Sequence, residues 1–332
     1  MDESILSEKS QKAMAFVNAK AHDITSKSRG KAWEDNTRAN RKFFQEGNAT
    51  LRGLTAYIVG AGPSLEKNGA ELRNVGKLGV IVCVDAALRY LLSVGVKPDY
   101  CLAIDSGDRC LRFTEGLDTK DITLVCMTSS SPAVIAAWQG PRYFVQGNAG
   151  SGDAADKMFA MTQRIVARRS IKEGEEVDAV ADMEMQFPGV VASVNCGGNV
   201  TTAAWSFAFE ILRAVKIIFV GADYSWHDRA FYAGNDYLEL AKERQTVEGV
   251  LSHPDLNDCE VHTNLSLFSF KGWHEARAIQ CVNTHVNATE GGILGIGDGP
   301  EHKGRRLPGW EFMTLKDAIA KYTPRVEEPC LL

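Results

Sequence analysis

The chain lacks the marks of a membrane, secreted or metal-clustered protein. Its eight cysteines, at positions 83, 101, 110, 126, 196, 259, 281 and 330, include no CxxC pair. Several fall in apolar, strand-like runs, which predicts reduced core residues rather than zinc ligands or a disulfide frame. No apolar run approaches the roughly 20 residues that a membrane helix needs, and stretches such as Leu78–Val84 and Ile217–Gly221 are of strand length. The segment Met1–Lys20 is charged and has no apolar core of a secretory signal, so a cytoplasmic protein is expected. Positive charge is not in excess: 37 Lys and Arg against 42 Asp and Glu leave a net charge of −5. That excludes a broad basic field for duplex nucleic acid. Internal repeats and low-complexity segments are also missing.

What remains is a globular composition, 45% hydrophobic and 24% charged over 332 residues, enough for one large or two modest domains. Residues 1–50 are polar, and Trp33, Asn36, Asn40, Phe43 and Phe44 recur every three or four residues. This predicts a helical extension that docks one face on the domain beyond it. From Leu54 the pattern becomes strand, turn, helix. Strands are expected at Ala56–Val59, Val80–Val84, Tyr100–Ile104, Thr123–Met127, Tyr143–Val145, Val190–Val194 and Ile217–Gly221, with a helix from about Val200 to Ala214. Ala154–Phe187 is charge-rich and less clearly placed. The expected fold is therefore α/β, a Rossmann-like, doubly wound and mostly parallel sheet, whose ligands sit beyond the carboxyl ends of the strands. We divide the chain into the extension (1–50), a catalytic domain (51–310), and a C-terminal helix and tail (311–332).

Chemistry gathers at the strand ends. Tyr57-Ile58-Val59-Gly60-Ala61-Gly62-Pro63-Ser64-Leu65 is an apolar run ending in a glycine turn before a helix start, a form that offers backbone N–H groups to a phosphate. It has neither the third glycine of a dinucleotide fingerprint nor the Gly-Lys-Ser/Thr of a P-loop. Asp85, Asp105, Asp108 and Asp223 follow other strands and would open on the same sheet edge, where these carboxylates, Asp85 and Asp105 foremost, suit a hydrated Mg²⁺ against nucleotide phosphates. Aspartate at such places also caps helices and makes turns. Cys196-Gly197-Gly198-Asn199-Val200-Thr201-Thr202 is a second glycine turn, where Gly198 lets a ligand approach. Asn199 there is either a ligand contact or a helix cap. His227 and His262 lie in loops near these ends and are candidate general acids or bases. Asn287, Thr289 and Glu290 form a compact polar set in a glycine-rich turn, which by its chemistry faces a ligand, here the nucleotide, and by frequency alone is a loop.

Together these pieces resemble the 6-hydroxymethylpterin diphosphokinase MptE-like family, whose bacterial branch includes the central domain of the motility-associated factor (Maf) glycosyltransferases. The matching residues are Trp33, Asn36 and Asn40, Gly60-Ala61-Gly62-Pro63-Ser64-Leu65, Lys97-Pro98-Asp99 with Ile104-Asp105, Gly197-Gly198-Asn199-Val200, Val220-Gly221-Ala222-Asp223 with His227, and Asn287-Ala288-Thr289-Glu290-Gly291-Gly292. The resemblance implies a core similar to that of bacterial sialyltransferases, with Gly60, Gly62, Pro63 and Ser64 at the nucleotide phosphates. Gly198 and Asn199 would line the nucleotide and Asp223 would close the site. Archaeal diphosphokinases look to have an Asp-Gly-Ala turn and a second Asp-x-Asp-Gly turn where this chain has Asp85-Ala86-Ala87 and Ile104-Asp105-Ser106-Gly107, whereas the Asn287–Gly292 segment and the leading Trp/Asn helix look like the Maf branch. The expected function is a nucleotide-dependent transferase using a CMP-activated nonulosonic acid. His227, then His262, would be the catalytic histidine, with Asp223 beside the reacting centre. The acceptor, a protein hydroxyl, a glycan or a pterin, is left open. The alternatives are an ATP-dependent, Mg²⁺-assisted diphosphokinase and a nucleotide-binding module without chemistry.

Overall fold

The structure is a computed structural model that describes residues 22–40, 43, 54–148, 190–227, 231–234, 250–281, 284–298 and 304–323. Phe44 and the charge-rich stretch 154–187 lie outside the described residues. The helix α1 (His22–Asn40) is followed by β1 (Thr55–Val59), α2 (Leu65–Asn68), β2 (Gly79–Val84), α3 (Asp85–Ser93), β3 (Tyr100–Ala103), α4 (Leu111–Thr114), β4 (Thr123–Met127), α5 (Pro132–Ala137) and β5 (Arg142–Asn148). Then come β6 (Val190–Asn195), α6 (Val200–Ser206), β7 (Lys216–Val220), β8 (Leu251–Pro254), β9 (Glu260–Thr263), α7 (Leu265–Gln280), β10 (His285–Asn287), β11 (Trp310–Phe312) and α8 (Leu315–Tyr322).

Among the described residues nine strands form one sheet in the order β11-β10-β7-β1-β2-β3-β4-β5-β6, and every pairing in it is parallel. A parallel sheet covered on both faces needs strands that are apolar throughout rather than alternating. All five residues of β1 are buried, as the sequence Thr-Ala-Tyr-Ile-Val demands. Tyr57 and Val59 pack on one face with Leu65, Leu88, Ile135 and Leu315. Ala56 and Ile58 pack on the other with Ala203, Phe207 and Phe268. Each such side chain removed from water contributes about 1.5–3 kcal/mol. The doubly wound α/β expectation therefore holds. β11 and α8 complete the sheet and one core, so the expected boundary at 310 falls inside the first residues of β11.

The N-terminal helix docks as its spacing predicts, but through amides more than apolar contact. Asn36 Nδ2 donates to the carbonyls of Ser106 and Ser129, and Asn40 Nδ2 to those of Thr128 and Ser130. Four residues apart on one face, the two asparagines tie the loops after β3 and β4 together. Phe43 lies under the Arg142 guanidinium, 5.0 Å away. The seven described cysteines form no disulfide. Among the described residues no helix is long and apolar enough to cross a membrane.

From β1 the chain winds outward to β6, then returns to lay β7 on the opposite side of β1. The winding direction reverses between these two strands, and a reversal opens a crevice at their carboxyl ends.

Candidate functional site

At this reversal the turns after β1 and β7 are joined directly. Gly60 N–H donates to Val220 O and Gly62 N–H to Gly221 O, each at 2.8 Å. A Cβ on Gly60 would stand 2.5 Å from the Gly221 carbonyl oxygen, and one on Gly62 2.6 Å from Asp223 Cγ. Neither position admits a side chain.

Asp223 reaches back across the crossing. Its carboxylate accepts the Ser64 N–H at 2.8 Å and also the Ser64 hydroxyl. Gly292, after β10, presses on the same residue, with φ +70° and a Cβ position 2.4 Å from Asp223 Cα. Ile293 N–H donates to Asp223 O at 2.8 Å. Three turns thus converge on one buried carboxyl. Burial pushes it up to about 6, against the Ser64 bonds and the Lys67 ammonium, with Asp255 raising it further.

The convergence differs from the expectation in one respect. The amides of Leu65, Glu66 and Lys67 bond back to Gly62, Pro63 and Ser64 carbonyls, so the N–H groups that the turn was expected to show a phosphate are largely taken up inside the chain. The carboxylate of Asp223 stands where an anion was expected, and Gly62 is glycine because Asp223 packs on it. A phosphate using Ser64 would have to displace that carboxylate.

The remaining candidates sort by position. Asn287 donates to Leu294 O and accepts the Thr289 N–H, both at 2.8 Å. Glu290, at φ +58°, accepts from Asn68 and from Leu315 N–H. These bonds shape the turn that carries Gly292. Asp85 begins α3 at the end of β2 and accepts the Ala86 N–H. Asp105 is half exposed beyond β3, 3.8 Å from Arg29 Nη1, and Asp108 accepts the Ser131 hydroxyl. Among the described residues no three His, Cys, Asp or Glu gather as metal ligands. Asp85 and Asp105 could therefore serve only a Mg²⁺ held mostly by phosphate oxygens and water.

In the second glycine turn the neighbours are aromatic. A Cβ on Gly197 would meet Trp273 and one on Gly198 would meet Phe270, at 2.5 and 2.4 Å. Asn199 caps α6 in a reciprocal box with Thr202.

Of the two candidate histidines, His262 stands in β9 rather than in a loop. Trp226 and His262 exchange both backbone hydrogen bonds at 2.8 Å, which puts exposed His227 next to that bridge. Further along the chain, Ala233 N–H donates to Ala61 O at 2.8 Å and Gly234 N–H to Glu66 Oε1 at 2.6 Å. Residues 231–234 thus strap the first glycine turn.

Sequence reasoning missed the buried polar face of α7. Lys271 and Glu275 form an ion pair at 2.7 Å with both side chains fully buried, and Glu275 also accepts the Gly295 N–H at 2.9 Å. Burial raises Glu275 to about 7 in spite of Lys271. His274 is buried beside them, held well below the ordinary histidine range by desolvation. His285 is lowered to about 4 for the same reason and accepts the Trp205 indole N–H at 2.7 Å, which leaves the proton of its neutral ring on Nδ1. Lys271, His274 and Glu275, at i, i+3 and i+4 on one face of the helix, were the available signal.

The sheet order and the helices on both faces define a doubly wound α/β protein. The chain belongs to the 6-hydroxymethylpterin diphosphokinase MptE-like family, whose model matches residues 31–229. Among solved structures it is similar to the Maf glycosyltransferase from Magnetospirillum magneticum AMB-1, with 16% identity and a TM-score of 0.52. The match covers 85% of this chain and 38% of that one, so the chain spans well under half of that enzyme's length. At this identity the likeness speaks for the fold. No curated protein sequence matches the chain.

Proposed function

We propose that the chain is a cytoplasmic, nucleotide-dependent transferase, and in particular a glycosyltransferase that takes a CMP-activated nonulosonic acid as donor. The observation that carries the reading is the meeting of the turns after β1, β7 and β10 on Asp223, under the 231–234 strap. Family membership and the Maf-like fold support it. The nucleotide would lie in the crevice, with Gly60, Gly62, Pro63, Ser64, Gly198 and Asn199 along its walls. His227 would take the proton of the acceptor hydroxyl as its oxygen bonds to the anomeric carbon, while the bond from that carbon to the phosphate oxygen breaks and CMP leaves. Positive charge developing on the sugar would be met by a carboxylate, Asp223 when ionised. The strap would keep water from the activated donor.

The family's name favours a second reading, ATP-dependent diphosphate transfer to a hydroxymethylpterin, with Mg²⁺ near Asp105 and Asp85. Thermal-shift titrations with CMP, CMP-sugars and ATP, with and without Mg²⁺, separate the readings, because a ligand of the native state raises the melting temperature. CMP alone raising it supports the glycosyltransferase, and Mg²⁺-dependent ATP binding supports the diphosphokinase. Stabilisation by CMP without turnover of any donor would leave a binding module. With turnover in hand, His227→Ala should lose ~10²-fold or more while keeping CMP affinity. Normal turnover in that variant with a loss in His262→Ala would move the role to His262.

A further inference from the structure

In the three turns that meet on Asp223, residues 60–67, 220–224 and 287–293, every carboxylate is engaged and the one cation is not. Asp223 holds Ser64, Glu66 Oε1 accepts the Gly234 N–H, and Glu290 accepts from Asn68 and Leu315 N–H. Lys67 is the single lysine or arginine of these turns. It is exposed, and among the described residues no hydrogen bond or ion pair holds its ammonium. The group nonetheless lies over the turn after β10. A Cβ on Gly291 would stand 3.2 Å from Ser64 Cβ and 3.8 Å from Lys67 Nζ, so the ammonium and the serine meet over bare backbone. From there the ammonium also draws the Asp223 carboxyl down, against burial and Asp255.

Resting on the nucleotide reading above, we propose that the Lys67 ammonium binds the phosphate of the nucleotide donor at the mouth of the crevice, on the solvent side of Asp223. A phosphate held there uses neither the amides of the first turn, which bond within the chain, nor the Ser64 groups that Asp223 occupies. It needs a cation to offset the Asp223 and Asp255 carboxyls, and Lys67 supplies one through a charge-assisted hydrogen bond. A point charge on a flexible stem suits a phosphate whose charge changes during the reaction. As the bond from the anomeric carbon to the phosphate oxygen breaks, that oxygen keeps the electron pair, and the phosphodiester monoanion becomes the CMP dianion. Lys67 meets more negative charge in the transition state than in the bound donor, so it assists departure as well as binding.

The test is Lys67→Met, which keeps an unbranched stem and removes the charge at an exposed position. Calorimetric affinities for CMP, cytidine and ATP are measured on both proteins, at low and at high salt. The variant should bind CMP roughly tenfold more weakly at low salt, the scale of one hydrogen bond to a charged group. The gap should narrow at high salt, where an exposed charge is screened. Cytidine, which has no phosphate, should bind both proteins alike. Unchanged CMP affinity, an equal loss for cytidine, or a gap indifferent to salt would each overturn the role of Lys67 and leave the nucleotide reading standing. ATP bound in place of CMP and weakened by the variant would sink the cytidine donor and keep Lys67. A wild type that binds no nucleotide would end both.

Discussion

Asp223→Asn asks whether the carboxyl at the meeting of the three turns keeps a proton that the unfolded chain would release. Burial raises this group from 3.8 to about 6 in the folded protein. Between those values the native state binds more protons than the unfolded state, so stability falls as pH rises through the window. The contribution is complete below about pH 4 and gone above about pH 6. Two units at 1.36 kcal/mol each give about 3 kcal/mol. Asparagine keeps the shape, still accepts one Ser64 bond and does not titrate. Urea unfolding at half-unit steps from pH 4 to 8 should show the wild type losing up to about 3 kcal/mol relative to the variant, nearly all of it below pH 7. Glu275, also raised, imposes its own slope on both proteins, and the difference between them removes it. Parallel curves would mean that the two Ser64 hydrogen bonds and Lys67 outweigh burial, leaving Asp223 ionised throughout and refuting the reasoning.

Two further substitutions examine the packing around that carboxyl. Gly62→Ala puts a methyl 2.6 Å from Asp223 Cγ and 2.8 Å from Gly221 O. Neither partner can retreat without parting the two turns, so a loss of about 1–3 kcal/mol in urea is expected, and wild-type stability would show the turns to be separable. Lys271→Met leaves Glu275 buried without its partner and should cost about 3–5 kcal/mol at pH 8. The loss should shrink towards pH 5, where Glu275 is protonated, and Lys271→Met with Glu275→Gln should recover much of it. A single-variant loss that does not change with pH would contradict the buried pair.

The sheet was legible because a parallel strand buried on both faces must be apolar at consecutive positions, and Tyr57–Val59, Val80–Val84 and Ile217–Val220 are. Positions of close approach were legible too, since glycine marks them at Gly60, Gly62 and Gly292 whatever its reason. The reason was not. Gly62 and Asp223 look, in one dimension, like a phosphate turn and a separate strand-end acid. The Asp223 side chain is what a Cβ at Gly62 would strike, and its bond to Ser64 spans 159 residues. Asn36 and Asn40 announce a helix face by their spacing, whereas their acceptors are loop carbonyls, which every residue carries and no residue type reveals. The same ambiguity makes Asn287, Thr289 and Glu290 look like ligand contacts: the donors and acceptors that bind a ligand are those that satisfy a buried turn. Lys271 and Glu275 passed unnoticed for the converse reason, because a charged pair four apart on a helix ordinarily faces water. What separates a binding residue from a structural one is therefore an unmet hydrogen bond in the folded chain.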